Sequence, residues 1–203
     1  MGIRWCIVAI VVFSLGSNVC AESADQPSNA SVARPVDPVQ EIRLGRFVAT
    51  FEATTLGEIR DALGVGSVEH TGDAGESLYW LCYSLPGQQI QLKSHGEMGG
   101  PENRLSGVSA TLVNAFREND QCPMIPGQFQ PVSFNFGWIG VSQNDLIKAL
   151  GRPSEIDGNR LIFQYERDIY EKRVVIGSSS GRVEGTAVDG KIISLEAWHV
   201  TSY

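Results

Sequence analysis

The chain has 203 residues, 16 of them basic and 23 acidic, for a formal net charge of −7. That acidic balance, with no basic run, gives it no electrostatic reason to seek nucleic acid or an anionic membrane surface. Its length supports one domain or two small ones.

Met1 to Ala21 has the anatomy of a secretory leader. Arg4 supplies the positive end, Cys6 to Leu15 is almost unbroken apolar sequence, and Val19-Cys20-Ala21 ends in the small residues of a cleavage site. The apolar run falls short of the roughly 20 residues that span a bilayer, so no integral membrane segment is expected once the leader is removed. Cys20 also admits lipid attachment, although Val19 fits poorly before a lipidated cysteine. The expected location is periplasmic or secreted. Residues 22–41 are rich in Ser, Ala, Asp, Asn and Pro and poor in large apolar side chains, and they read as a disordered tether. Asn29-Ala30-Ser31 is a glycosylation sequon that matters only in a eukaryotic secretory pathway.

A first unit is expected over 42–115. Phe47 to Phe51 is an entry strand. Thr55 and Glu58 have the spacing of a capping box, Ile59, Ala62 and Leu63 form one apolar helical stripe, and Gly64 sits where a left-handed cap ends the helix. So short a helix needs packing to persist. Strands follow at Leu78 to Ser84, Gln89 to Ser94 and Leu105 to Val113, with a turn at Pro86-Gly87 and a glycine-rich loop from His95 to Asn103. Residues 116–131 form a linker broken by Pro123, Pro126, Gly127 and Pro131. Cys82 and Cys122 are the cysteines left after the leader departs. In an oxidising compartment they are expected to pair, pinning the linker to the first sheet.

The second unit, 132–203, repeats this order. Ser142 and Asp145 form the cap, while Leu146, Ala149 and Leu150 match Ile59, Ala62 and Leu63. Gly151 and Pro153 enforce the stop. Strands are expected at Leu161 to Tyr165, Arg173 to Ile176 and Lys191 to Val200, with a second glycine-rich loop from Gly177 to Gly190. The fold class expected is therefore α+β: two tandem helix-plus-three-stranded antiparallel repeats joined into one curved sheet.

The run Gly140-Val141-Ser142, Asp145-Leu146 and Ala149-Leu150-Gly151-Arg152-Pro153, followed by a polar turn and an aromatic strand, resembles the small lipoprotein of the outer-membrane β-barrel assembly machine, the SmpA/OmlA type. Two such units in tandem are similar to the β-lactamase inhibitory protein fold. The resemblance implies binding to another protein rather than catalysis, and it brings no site residues with it.

Catalytic and cofactor motifs are missing. His70, His95 and His199 stand at no metal-site spacing from one another or from a cysteine. There is no Gly-x-Ser-x-Gly elbow, no P-loop and no dinucleotide fingerprint, so no cofactor is expected. Glu166, Asp168 and Glu171 alternate with Arg167, Lys172 and Arg173, the mark of a solvated hairpin rather than a carboxylate pair. The expected function is an exported, non-enzymatic module that binds a protein partner or is associated with the cell envelope. Its candidate surface comprises Trp80, His95, Glu97 and Met98, rimmed by the two glycine-rich loops. The alternative is an envelope hydrolase or metal-dependent enzyme built on His70, His95 and nearby acids.

Overall fold

The computed structural model describes residues 37–73, 76–95, 103–113 and 122–203. The leader, Cys20, Asn29, Glu97 and Met98 lie outside the described residues. Described structure begins at Asp37, within the span read as a tether.

Helix α1 (Leu56–Leu63) forms as its caps dictate. Thr55 Oγ1 accepts the Glu58 N–H at 3.1 Å, and Glu58 Oε2 accepts the Thr55 N–H at 2.7 Å. Gly64 closes the helix at φ 71°. Helix α2 (Gln143–Leu150) is capped on one side only, by Ser142 Oγ accepting the Asp145 N–H at 3.1 Å. At eight residues each, both helices depend on their buried faces: Leu56, Ile59 and Leu63 in α1, Leu146 and Leu150 in α2.

The expected α+β arrangement of two three-stranded repeats is not what forms. The molecule is mostly β, 56% strand against 13% helix, in two sheets. The small sheet has the order β2-β1-β7, from β1 (Glu41–Leu44), β2 (Phe47–Thr50) and β7 (Val132–Ser133). The large sheet is antiparallel and eight-stranded, in the order β3-β4-β5-β6-β11-β10-β9-β8. Its strands are β3 (Glu69–Thr71), β4 (Leu78–Leu85), β5 (Gln88–His95), β6 (Gly107–Leu112), β8 (Glu155–Asp157), β9 (Arg160–Glu171), β10 (Val174–Val188) and β11 (Lys191–Ser202). Chain order thus runs inward from one edge through β6 and outward from β11 to the other.

The largest correction concerns Gly177 to Gly190. This stretch is no loop but most of β10 and its turn into β11. Within the strand, Gly177, Gly181 and Gly185 serve close approach, not flexibility. Gly181 lies against the Asp37 carboxylate, and a Cβ on Gly185 would reach Leu146 Cδ2 at 3.0 Å. Between them, Val183 and Ala187 join the core while Arg182, Glu184 and Thr186 point the other way, the period-two alternation of a half-buried strand.

One face of the large sheet carries Leu81, Tyr83, Leu92, Val108, Ala197, Val183 and Phe163, and these pack with the helices and the small sheet into one apolar cluster. Full burial of a leucine- or phenylalanine-sized side chain stabilises by about 1.5–3 kcal/mol. This shared cluster is therefore what fixes two helices too short to stand alone.

Candidate functional site

The opposite face of the large sheet is the candidate binding surface. In an antiparallel sheet, residues directly opposite one another share a face. One row crosses six strands: Trp80, Lys93, Gly107, Trp198, Arg182 and Gln164. The next row on the same face reads Cys82, Gln91, Ser109, Glu196, Glu184 and Ile162. Both tryptophans are half-buried, Gln164 and Glu196 are exposed, and both helices lie on the other side. The charges are matched locally. Lys93 Nζ meets Glu196 Oε1 at 3.1 Å, and Glu184 takes Arg182 at 2.8 Å and Arg160 at 3.2 Å.

Gly107 interrupts the first row. With no side chain between Lys93 and Trp198, the face sinks beside it into a depression of about 310 Å³ lined by His95, Arg182, Glu184, Glu196 and Trp198. His95 leans over Gly107, its Cε1 standing 3.4 Å from where a Cβ would be. Its backbone N–H donates to Ser106 Oγ at 2.9 Å, and its Nδ1 lies 3.3 Å from the same oxygen. Partial burial holds the His95 imidazole below its usual pKa, helped by the Lys93 charge, with Glu196 pulling the other way. A neutral ring beside an indole is an apolar lining with a polar edge.

Trp80 and His95 thus fall on one face, with Trp198 and Arg182 beside them. His70 does not join them. It pairs with Tyr79 in register and stacks on that ring at 4.3 Å, whereas His95 pairs with Leu78. Tyr79 and Leu78 are neighbours on one strand and point to opposite faces, so His70 and His95 are on opposite sides of the sheet. Among the described residues there is no cluster of three or more metal-ligating side chains.

At one end of this face Cys82 and Cys122 form a disulfide across a separation of 40 residues. Gln89 Nε2 lies 3.3 Å from Cys82 Sγ and 3.0 Å from Cys122 Sγ. Ser84 Oγ donates to Cys122 O at 2.9 Å, so the linker is fastened by more than sulfur. Such a bridge fits an oxidising compartment. No helix among the described residues is long and apolar enough to cross a membrane.

A polar constellation that sequence reading missed lies beneath the sheet. His199 Nδ1 is 2.7 Å from Asp37 Oδ2, and His199 Nε2 is 3.3 Å from Glu52 Oε2 and 3.5 Å from Ser179 Oγ. Serine, histidine and aspartate in that order invite comparison with a nucleophilic triad, but the environment forbids the chemistry. The hydrogen bond to Asp37 raises the His199 pKa against the effect of burial, and the Asp37 and Glu52 charges add to the rise, with Arg167 opposing. With Nδ1 on Asp37 and Nε2 closer to Glu52 Oε2 than to Ser179 Oγ, both ring nitrogens are directed at carboxylates rather than at the serine. Ser179 is 2% exposed, which leaves a substrate no approach. Glu52, at φ 59°, also accepts the Thr201 N–H and hydroxyl, both at 2.6 Å. Asp37 accepts the Val39 N–H at 2.8 Å. The group is a clasp tying the entry segment to β10 and β11. Its partners are far apart in sequence and follow no motif, and the one signal available was a lone histidine in a strand.

Comparison with known proteins adds little. No family model matches the chain, and no curated protein does. One solved structure, a Streptococcus mutans protein assigned provisionally as a beta-lactamase inhibitor protein, aligns over 73% of this chain and 82% of its own at 12% identity, with a TM-score of 0.26. A score that low carries no argument for function. The assembly-lipoprotein repeat is not shown by either kind of comparison.

Proposed function

We propose that this chain is an exported, non-enzymatic module that binds a protein partner on the open face of its eight-stranded sheet. The observation that carries the reading is that face itself: half-buried Trp80 and Trp198, a shallow depression beside Gly107, and a border of paired charges. Tryptophan and arginine are enriched among the residues that dominate protein interfaces, and matched charges around them favour one partner's orientation over others. The depression is at the small end of what encloses a small molecule, whereas the surface around it is wide. The leader and the Cys82–Cys122 bridge support export.

The test is site-specific photocrosslinking in cells. A photoreactive residue at Gln91 or Gln164, on the open face, is expected to capture one discrete protein. The same residue at Lys148, on the solvent side of α2, is expected not to. Trp198→Ala should lower the yield by roughly tenfold or more, the usual effect of truncating an interface anchor. No product from the open face, or the same product from Lys148, rejects the reading.

A further inference from the structure

The two outer edges of the large sheet are finished differently. On the β4 side, β3 covers Leu78 to Trp80. Beyond it the disulfide-anchored linker takes over: the Ser84 N–H donates to Pro123 O at 2.9 Å and the Ile125 N–H to Ser84 O at 3.0 Å. On the β9 side, β8 covers only Arg160 to Ile162. Ser154 extends the cover by one step, donating its N–H to Ile162 O at 2.7 Å while its hydroxyl accepts the Gln164 N–H at 3.0 Å. From Glu166 to Glu171 no strand among the described residues pairs with the outer edge of β9. The bonds at Ile162 and Gln164 set the phase, since backbone groups alternate sides along a strand. Glu166 and Asp168 therefore turn their N–H and C=O outward. Such an edge is a template for another strand.

Charge decides which strand. Glu166, Arg167, Glu171 and Lys172 are exposed, and none forms an ion pair among the described residues. A twofold axis normal to the sheet sets this segment against itself, antiparallel. Centred on Glu166 or Asp168, the pairing puts an acid on its own copy. Centred on Arg167, it puts arginine on arginine and Glu166 on Asp168. Centred on Ile169, it faces Arg167 with Glu171 twice and sets Glu166 beside Lys172 twice, with the half-buried Ile169 at the seam. Opposite charges directly across strands stabilise and like charges destabilise.

We propose that two copies of this chain pair β9 to β9 about a twofold axis at Ile169, joining their large sheets edge to edge. This stands apart from the open-face reading, which needs only one copy.

Sedimentation equilibrium of the purified chain over a concentration series tests it, with a reversible monomer–dimer equilibrium expected. Arg167→Glu sets acid against acid at both symmetric pairs and should raise the dimer dissociation constant by about tenfold or more. Adding Glu171→Arg exchanges the charges and should restore wild-type association. Asp168→Pro removes an outward N–H that no bond within the sheet uses, and should leave a monomer that melts as the wild type does. If that proline disturbs the fold, the charge exchange alone decides. A single-chain mass at every concentration overturns the proposal, as does a dimer indifferent to Arg167→Glu or one that the double variant fails to restore.

Discussion

His199 and His95 titrate in opposite senses, and together they set how stability varies with pH. The Asp37 hydrogen bond raises the folded pKa of His199 above the ordinary value near 6.5. The stability from its charged form is fully present below about pH 6.5 and is lost as pH rises through the raised value. Burial lowers the folded pKa of His95, so its protonation works against folding, and stability rises as pH climbs toward about 6.5. Urea midpoints across this range should therefore pass through a maximum near pH 6.5. His199→Gln should remove the decline on the alkaline side, and His95→Gln should flatten the rise on the acid side. An unaltered alkaline limb in His199→Gln would show that the clasp does not couple to folding. None of this was legible from the histidines alone. Asp37 lies in a polar, proline-rich stretch and Glu52 in a turn, and only the fold brings them to β11.

Among the elements, β10 shows why a glycine count misleads. Four glycines from Gly177 to Gly190 suggested slack, yet Val183 and Ala187 already alternate with Arg182, Glu184 and Thr186. The alternation was the better signal, because Gly177, Gly181 and Gly185 all fall on one face, where other atoms press on the strand. Gly181→Ala would force a methyl group into the Asp37 carboxylate and loosen the clasp. Overpacking of this kind costs about 1–3 kcal/mol, measurable as a lowered urea midpoint. The caps of α1 and α2 were legible because their chemistry is local to four residues. So was the Cys82–Cys122 bridge, because these are the two cysteines outside the expected leader and an exported chain is expected to pair them. Closing a loop of 40 residues should stabilise by about 4 kcal/mol in the chain-entropy model. Reduction should therefore lower the melting temperature clearly, and no shift on reduction would mean the linker is held by Ser84 and its neighbours alone. The small sheet was not legible: apart from the entry strand, it is made of short segments whose pairing depends on contacts distant in sequence.

At the scale of the molecule, the large sheet divides two tasks between its faces, and Gly107 is where they can be tested separately. The covered face holds the fold together through one apolar cluster, to which none of the row Trp80, Lys93, Gly107, Trp198, Arg182 and Gln164 belongs, while Cys82 at the end of the open face anchors the linker. Gly107 sits in the middle of the open row with a backbone that carries no positive φ, and the atoms nearest a Cβ there would be in the His95 and Lys93 side chains, at 3.4 Å or more. Gly107 is buried under His95 and does not itself line the depression, so Gly107→Leu should act by displacing the His95 ring that does, without reaching the core. Crowding at a buried position costs about 1–3 kcal/mol, so the variant should stay folded with a urea midpoint modestly below that of the wild type. If the open face takes a protein partner through this depression, the same variant should lose the crosslink from Gln91 and Gln164. A normally folded Gly107→Leu that still crosslinks would move the contact off the tryptophan row. A Gly107→Leu that fails to fold would show that this row also carries part of the fold, and the division of labour between the two faces would have to be abandoned.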